Sequence, residues 1–186
     1  SDLGTPGDGG GVPNNSTLLL WMLGELFNAT GRQEYLEHCQ PMTNWLEHVQ
    51  LPSGELPYAL GKTADKDRVH FLCYQYNAFE YLDLAHYYHR TDDKAVLSII
   101  ERLAGYLEKG FTKQGACRYN CQQATPEVNY YTFSLARALS HSQEMAFTDC
   151  TEEIQKAYQR ALSHQRADGG FRFFSKYNYR FLKDRR

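Results

Sequence analysis

The sequence lacks any long apolar run. The longest, Leu18 to Leu23, falls far short of the roughly 20 residues that a membrane-crossing helix needs. It also lacks an excess of charge of either sign. A formal net charge of −2 gives no electrostatic basis for binding nucleic acid or an anionic membrane. The glycine-rich stretch Gly7 to Gly11 precedes neither a Lys-Ser/Thr pair nor a strand, which excludes a phosphate-binding loop. The opening residues read as a loop rather than as a secretory signal or a native beginning. Cysteine is present only as an odd, scattered set: Cys39, Cys73, Cys117, Cys121 and Cys150. Such a set is no disulfide framework. Free buried thiols point instead to a reducing, cytoplasmic setting. Cys117 and Cys121 are four apart, but no nearby Cys or His pair completes a metal site, so neither metal nor cofactor is expected.

Tyrosine is plentiful: 14 tyrosines stand beside 10 phenylalanines, so many rings carry a hydroxyl that needs a polar partner. The chain is also self-similar. Moved by 61 residues, Thr30 falls on Thr91, Leu36 on Leu97, Trp45-Leu46-Glu47 on Tyr106-Leu107-Glu108, Gly54 on Gly115 and Tyr58 on Tyr119. A third copy follows at 54 to 55 residues, with Leu107 on Leu162, Gly115 on Gly169, Arg118 on Arg172 and Tyr119 on Phe173. Such a period marks stacked supersecondary units.

Each copy opens with a helix that is apolar or aromatic nearly all round, at about 16–28, 75–89 and 128–141. A helix with so little polar surface is expected to be buried. Short turns follow at Ala29-Thr30-Gly31, at Arg90-Thr91-Asp92 and near Ser142, where Thr and Asp suit helix N-caps. An amphipathic helix comes next, with apolar residues at steps of three and four. In the second copy these are Val96, Leu97, Ile100, Leu103, Ala104 and Leu107. Pro41 predicts a kink or a restart in the first of these helices. Val69 to Tyr74 reads as the approach to an inner helix rather than as a strand.

The expectation is an all-α chain of three tandem antiparallel helix hairpins, at about 16–50, 75–109 and 128–165, in a single repeat domain over residues 1–186. The connections from outer to inner helix are long, so alternating helix direction brings all of them to one end. Each carries a glycine turn: Gln50 to Tyr58, Lys113 to Tyr119, and Gln165 to Phe173. The glycines there read as helix C-caps, with the aromatic packed beneath.

A Gln, then Gly and an aromatic after an outer helix resembles the repeat of the α/α-toroid proteins. These include squalene-cyclase and protein-prenyltransferase relatives and the six-hairpin glycosidase group, with its polysaccharide lyases and sugar epimerases. The run Phe27-Asn28-Ala29-Thr30-Gly31-Arg32-Gln33-Glu34-Tyr35-Leu36 is similar to the inner-to-outer turn of that sugar-active group, as is Tyr88-His89-Arg90-Thr91-Asp92-Asp93. The resemblance covers nearly the whole chain and implies an arc of a toroid, a partial ring completed by additional hairpins, a partner domain or self-association. No Asp-Cys-His set stands at a spacing that would match the prenyltransferase zinc site. Asp92-Asp93 lacks the leading Asp of the cyclase acid motif.

In such toroids the resemblance places the pocket at the mouth of the inner ring. The expected binding residues there are Asn15, Gln75, Tyr76, Asn77, Asn129 and Tyr130, with Arg118 and Arg172 on the loops. Amides and phenols suit sugar hydroxyls, and ring faces suit C–H surface. An oligosaccharide or polysaccharide is therefore the expected partner. Candidate proton-transfer groups are His70, which titrates near neutrality, Tyr74 or Tyr76 for a lyase-like elimination, and Glu127 with Asp168 as paired carboxylates. An enzyme on this plan would be a lyase, a glycoside hydrolase or an epimerase. The alternatives are a non-catalytic helical scaffold for a protein partner and a terpenoid or lipid site, which the scarcity of tryptophan disfavours.

Overall fold

A computed structural model describes residues 11–60, 68–69 (backbone only) and 72–175. Among the described residues the chain is all-α apart from one short antiparallel strand pair. Its elements are α1 (Pro13–Thr30), α2 (Glu34–Glu37), α3 (Cys39–Val49), β1 (Ala59–Leu60), β2 (Arg68–Val69), α4 (Cys73–Thr91), α5 (Lys94–Leu107), α6 (Asn129–Glu144) and α7 (Thr151–Leu162). Helices α1, α4 and α6 form an inner layer, with α4 packed between the other two. The outer layer is α2 with α3, then α5, then α7. The three hairpins form an arc, a partial toroid.

The layering follows from the two kinds of helix. Helix α4 buries residues on most of its surface, including Tyr74, Asn77, Tyr81, Leu84 and Tyr87, and so has neighbours on both flanks. Helix α5 buries a single stripe, Val96, Ile99, Ile100, Leu103 and Leu107, and shows its charged side to water. The outer helix of the first pair is broken at His38. Pro41 stands third in α3, inside the first turn, where its missing N–H costs no intrahelical bond.

The short turns differ from expectation in one respect. Thr30 and Thr91 close inner helices rather than capping outer ones. Their hydroxyls donate to the carbonyls of Leu26 (2.6 Å) and Tyr87 (2.9 Å) one turn back. Gly31 (φ 69°) and Asp92 (φ 54°) then end the helices in the left-handed region. Asp93 supplies the N-cap of α5, its carboxylate accepting from Ala95 N–H at 3.0 Å. A second correction concerns Val69, which lies in a strand: β2 pairs antiparallel with β1, Ala59 opposite Val69.

The glycines of the long loops are not C-caps. Each ends a tight turn several residues beyond the helix, with φ of 92° at Gly54, 81° at Gly115 and 84° at Gly169. The hydrogen bonds repeat in all three. Leu51, Thr112 and Arg166 each accept from the glycine N–H at 2.9 Å and donate to the carbonyl of Glu55, Ala116 and Gly170 at 2.8 to 2.9 Å. This is a turn with a left-handed fourth residue, which favours glycine because a Cβ there is strained.

Candidate functional site

The open positions on the inner helices recur at steps of three and four. On α4 they include Tyr76, Phe79, Asp83, His86 and Arg90, and on α6 they include Tyr130, Phe133, Arg137 and Ser140. The matching positions on α1 are Asn15, Leu18, Met22 and Glu25. Read across the arc, Asn15, Tyr76 and Tyr130 form the row nearest the long loops. Leu18, Phe79 and Phe133 form the next.

Rings from the loops extend this face. Tyr58 meets Tyr76 edge-on at 4.8 Å, and Phe171 meets Phe133 edge-on at 5.1 Å. Phe173 lies 5.6 Å from Tyr130, which is itself edge-on to Tyr131 at 4.6 Å. Tyr130, Phe133, Phe171 and Phe173, with Asn129 and Arg172, line a shallow cleft of about 380 Å³. Burial, then the neighbouring Tyr58, raises the Tyr76 phenol above its ordinary value.

The expected binding residues divide into two groups. Asn15, Tyr76, Tyr130 and Arg172 lie on or beside this face. Arg118 is half-buried on the second loop, close enough to Tyr74 to bear on its phenol, and its backbone N–H is held by the Gly110 carbonyl at 2.8 Å. Asn77 and Asn129 are engaged in holding loops. Asn77 accepts from Leu56 N–H at 2.7 Å and donates to Leu56 C=O at 2.9 Å, so its amide closes the first loop onto α4. Asn129 donates to the Arg172 carbonyl at 2.8 Å, and its Oδ1 lies 2.7 Å from His164 Nδ1, which ties the third loop to α6 and α7. Gln75 is buried, and its Oε1 has no hydrogen-bond partner among the described residues.

The proton-transfer candidates are dispersed. Glu127 makes a bidentate pair with Arg160, both contacts 2.7 Å, and anchors the second loop to α7. Asp168 is exposed at the third turn, where it accepts from Gly170 N–H at 3.0 Å and pairs with Arg166 at 2.6 Å. Tyr74 is buried and stacked on Tyr106 at 5.0 Å, and burial raises its phenol. His70 lies outside the described residues. Among the described residues no group of three or more His, Cys, Asp or Glu is placed to hold a metal ion, and no helix is long and apolar enough to cross a membrane. All five cysteines are free.

Two acids on α4 lay outside the expected set. Glu80 is 1% exposed, and its Oε2 has no partner among the described residues. Burial, with Asp83 and Glu55 nearby, pushes its carboxyl well above the usual range. Asp83 faces the open side and accepts a hydrogen bond from the Thr17 hydroxyl of α1 at 3.1 Å. Burial raises its pKa to about 6. Two carboxylates inside an otherwise buried helix were the signal for them, since buried acids need a reason.

The opposite end of the arc, at the short turns, holds a histidine group. His141 lies 3.1 Å from the Tyr81 hydroxyl through Nδ1 and 3.0 Å from His89 Nε2 through Nε2, and burial lowers its pKa.

No protein-family model matches the sequence, and no curated protein is significantly similar to it. Solved structures do match. One is a polysaccharide lyase, at a TM-score of 0.71 and 12% identity over 87% of this chain and 51% of that one. Another is a family 88 glycosyl hydrolase from Bacteroides vulgatus, at 0.70 and 10% over 87% and 52%. A third is a GH76 α-mannanase from Bacteroides thetaiotaomicron, at 0.59 and 16% over 86% and 44%. The fold is therefore that of the α/α-toroid proteins. The chain spans about half the length of the structures it matches.

Proposed function

We propose that this chain contributes part of a carbohydrate-binding surface, with the open face of its inner helices as the platform. The observation that carries this reading is the two-tier row of rings, exposed Tyr130 and Phe79 with half-buried Tyr76 and Phe133, extended by half-buried Tyr58 and by exposed Phe171 and Phe173. Aromatic faces cover the C–H surface of a sugar ring, while phenols and amides donate to and accept from its hydroxyls. The names of the three matching structures, a polysaccharide lyase and two glycoside hydrolases, support the same class. Within this reading Asn15, Tyr76, Tyr130, Arg118 and Arg172 contact the ligand. Asn77, Glu127 and Asn129 hold the loops in place.

Titration calorimetry against neutral mannan oligosaccharides and uronate-containing oligosaccharides tests it. Tyr76→Ala with Tyr130→Ala is expected to weaken binding by roughly tenfold or more, with the melting temperature lowered only a few degrees. Binding that survives both changes would sink the proposal. A second reading, a terpenoid or lipid ligand, is favoured by Phe79 and Phe133 in the lower row. Binding of a long-chain alcohol with no response to any sugar would select it.

A further inference from the structure

The inner helices α4 and α6 are joined at the short-turn end by a histidine pair. His89 lies in the last turn of α4 and His141 in the last turn of α6. Their Nε2 atoms are 3.0 Å apart, and the ring centroids are 5.2 Å apart with the planes crossed at 82°. The centroid separation is close to the nitrogen separation plus the two ring radii, so the nitrogens meet almost head-on. A metal ion on that line would need about 2.0 Å on either side, more than the gap allows. The gap fits one proton, donated by one imidazole and accepted by the other. The chain of bonds continues inward, with His141 Nδ1 lying 3.1 Å from the hydroxyl of Tyr81, a fully buried ring of α4.

Either direction of donation satisfies this chain. If the Tyr81 hydroxyl donates to Nδ1, His141 donates from Nε2 to His89. If Nδ1–H donates to Tyr81, Nε2 accepts from His89. Each arrangement holds one proton between the rings. One further proton on the pair keeps the bond, because one ring still offers a lone pair. A second leaves two N–H groups face to face with no acceptor, and two positive charges in contact. The surroundings oppose that second charge. Burial lowers the pKa of His141, and His89, Arg137 and His86 lower it further, against Glu144 alone. On the α4 side Arg90 stands next to His89 and pairs with Glu25 of α1 at 2.9 Å. The Tyr88 ring, 5.9 Å from the His89 ring, carries Lys94 over its face at 5.2 Å.

We propose that His89 and His141 are a one-proton clasp between α4 and α6, closed while at most one ring is charged and open when both are. The same two helices carry Tyr76 with Phe79 and Tyr130 with Phe133, so the clasp holds the base of the open face, whatever that face binds. His141 takes up its proton less readily folded than unfolded. The stability that the clasp contributes is therefore full above about pH 6.5 and is lost as pH falls below it through the folded value. Asp83 and Glu80 act in the opposite direction.

A double-mutant cycle on the full chain, with His89→Ala, His141→Ala and both, cancels the contribution of those acids and isolates the pair when melting is followed at about pH 7.5 and about pH 4.5. At the higher pH His89→Ala should lower the midpoint by about 2 to 4 °C, and should have little effect once His141→Ala is in place. At the lower pH His89→Ala should no longer lower the midpoint of the parent, or should raise it by relieving the repulsion. A loss of the same size at both pH values would reduce the pair to a packing contact and overturn the clasp, as would no loss at either. In the parent chain the imidazole proton resonances of the two rings should titrate in two linked steps, and His89 in the His141→Ala variant in one. Independent single steps in the parent would also overturn it.

Discussion

At Gly54 and Gly115 the repeat turn is buried beneath an outer helix, while at Gly169 the same turn, with the same φ region and the same two backbone bonds, faces solvent. The requirement for glycine therefore has two separable parts. One is local: the left-handed backbone at the fourth residue of the turn disfavours any Cβ, and this holds in all three copies. The other is tertiary: a helix backbone pressed against the turn leaves no room for a side chain, and among the described residues this holds in two. A sequence repeat records the first part equally well at every copy and says nothing of the second.

Substitution at the turns gives the largest expected contrast. Gly54→Ala drives a Cβ into the Arg102 carbonyl as well as straining φ, and is expected to cost about 4 kcal/mol or more, close to the whole stability of a small domain. Gly169→Ala meets open space and should cost only the local strain, about 1 to 2 kcal/mol. Urea melts of the two variants measure the difference. Equal costs would mean that the tertiary part is negligible.

Next in size is the anchor of the second loop. Arg160→Ala removes both guanidinium contacts from the buried Glu127 carboxylate and is expected to cost roughly 3 kcal/mol. Glu127→Gln should cost less, since an amide keeps one acceptor without a buried charge. The reverse order in thermal melts would make Glu127 something other than an anchor.

A smaller effect distinguishes the first loop from the third. Asn77→Ala leaves both Leu56 backbone groups unpaired in a buried setting, for roughly 2 kcal/mol. Asp168→Ala removes a bond at an exposed turn and should cost about 0.5 kcal/mol or less. Comparable losses would contradict the division between a closed first loop and an open third.

The pH dependence is the most modest expectation. Asp83 and Glu80 hold their protons more tightly folded than unfolded; for Asp83 the window in which the unfolded chain sheds a proton that the folded chain retains runs from about 4 to about 6, and for Glu80 it opens at a similar pH and extends upward. Stability from these groups is thus full at low pH and falls as pH rises through those windows. Asp83→Asn and Glu80→Gln should each flatten the decline between denaturant melts at pH 4 and pH 7. An unaltered slope would remove both acids from the account.

The architecture was legible because helical periodicity and turn chemistry are local. The all-round apolar character of the residues that became α4, the single stripe of α5, the restart at Pro41 and the three glycine turns are all carried within a few residues of chain. For the site, sequence chemistry and tertiary placement part company. Asn15, Tyr76 and Tyr130, expected at the mouth, stand at positions of the inner helices that are not buried. Asn77, Glu127 and Asn129 looked equally suited to a ligand, since an amide or a carboxylate has the same chemistry whether it meets a sugar or a neighbouring backbone. Val69 was misread because its strand partner, Ala59, lies outside the run of residues from which it was read.

By itself, then, the sequence determined the helices, their pairing and the positions of the turns, all of which depend on contacts between near neighbours along the chain. The tertiary structure alone decided which polar groups are occupied by loop clamps, which rings stand open, how far the Glu80 and Asp83 carboxyls are withdrawn from water, and that the third turn carries no helix among the described residues. Those outcomes depend on partners tens of residues away, where a one-dimensional pattern lists the groups but does not assign them to each other.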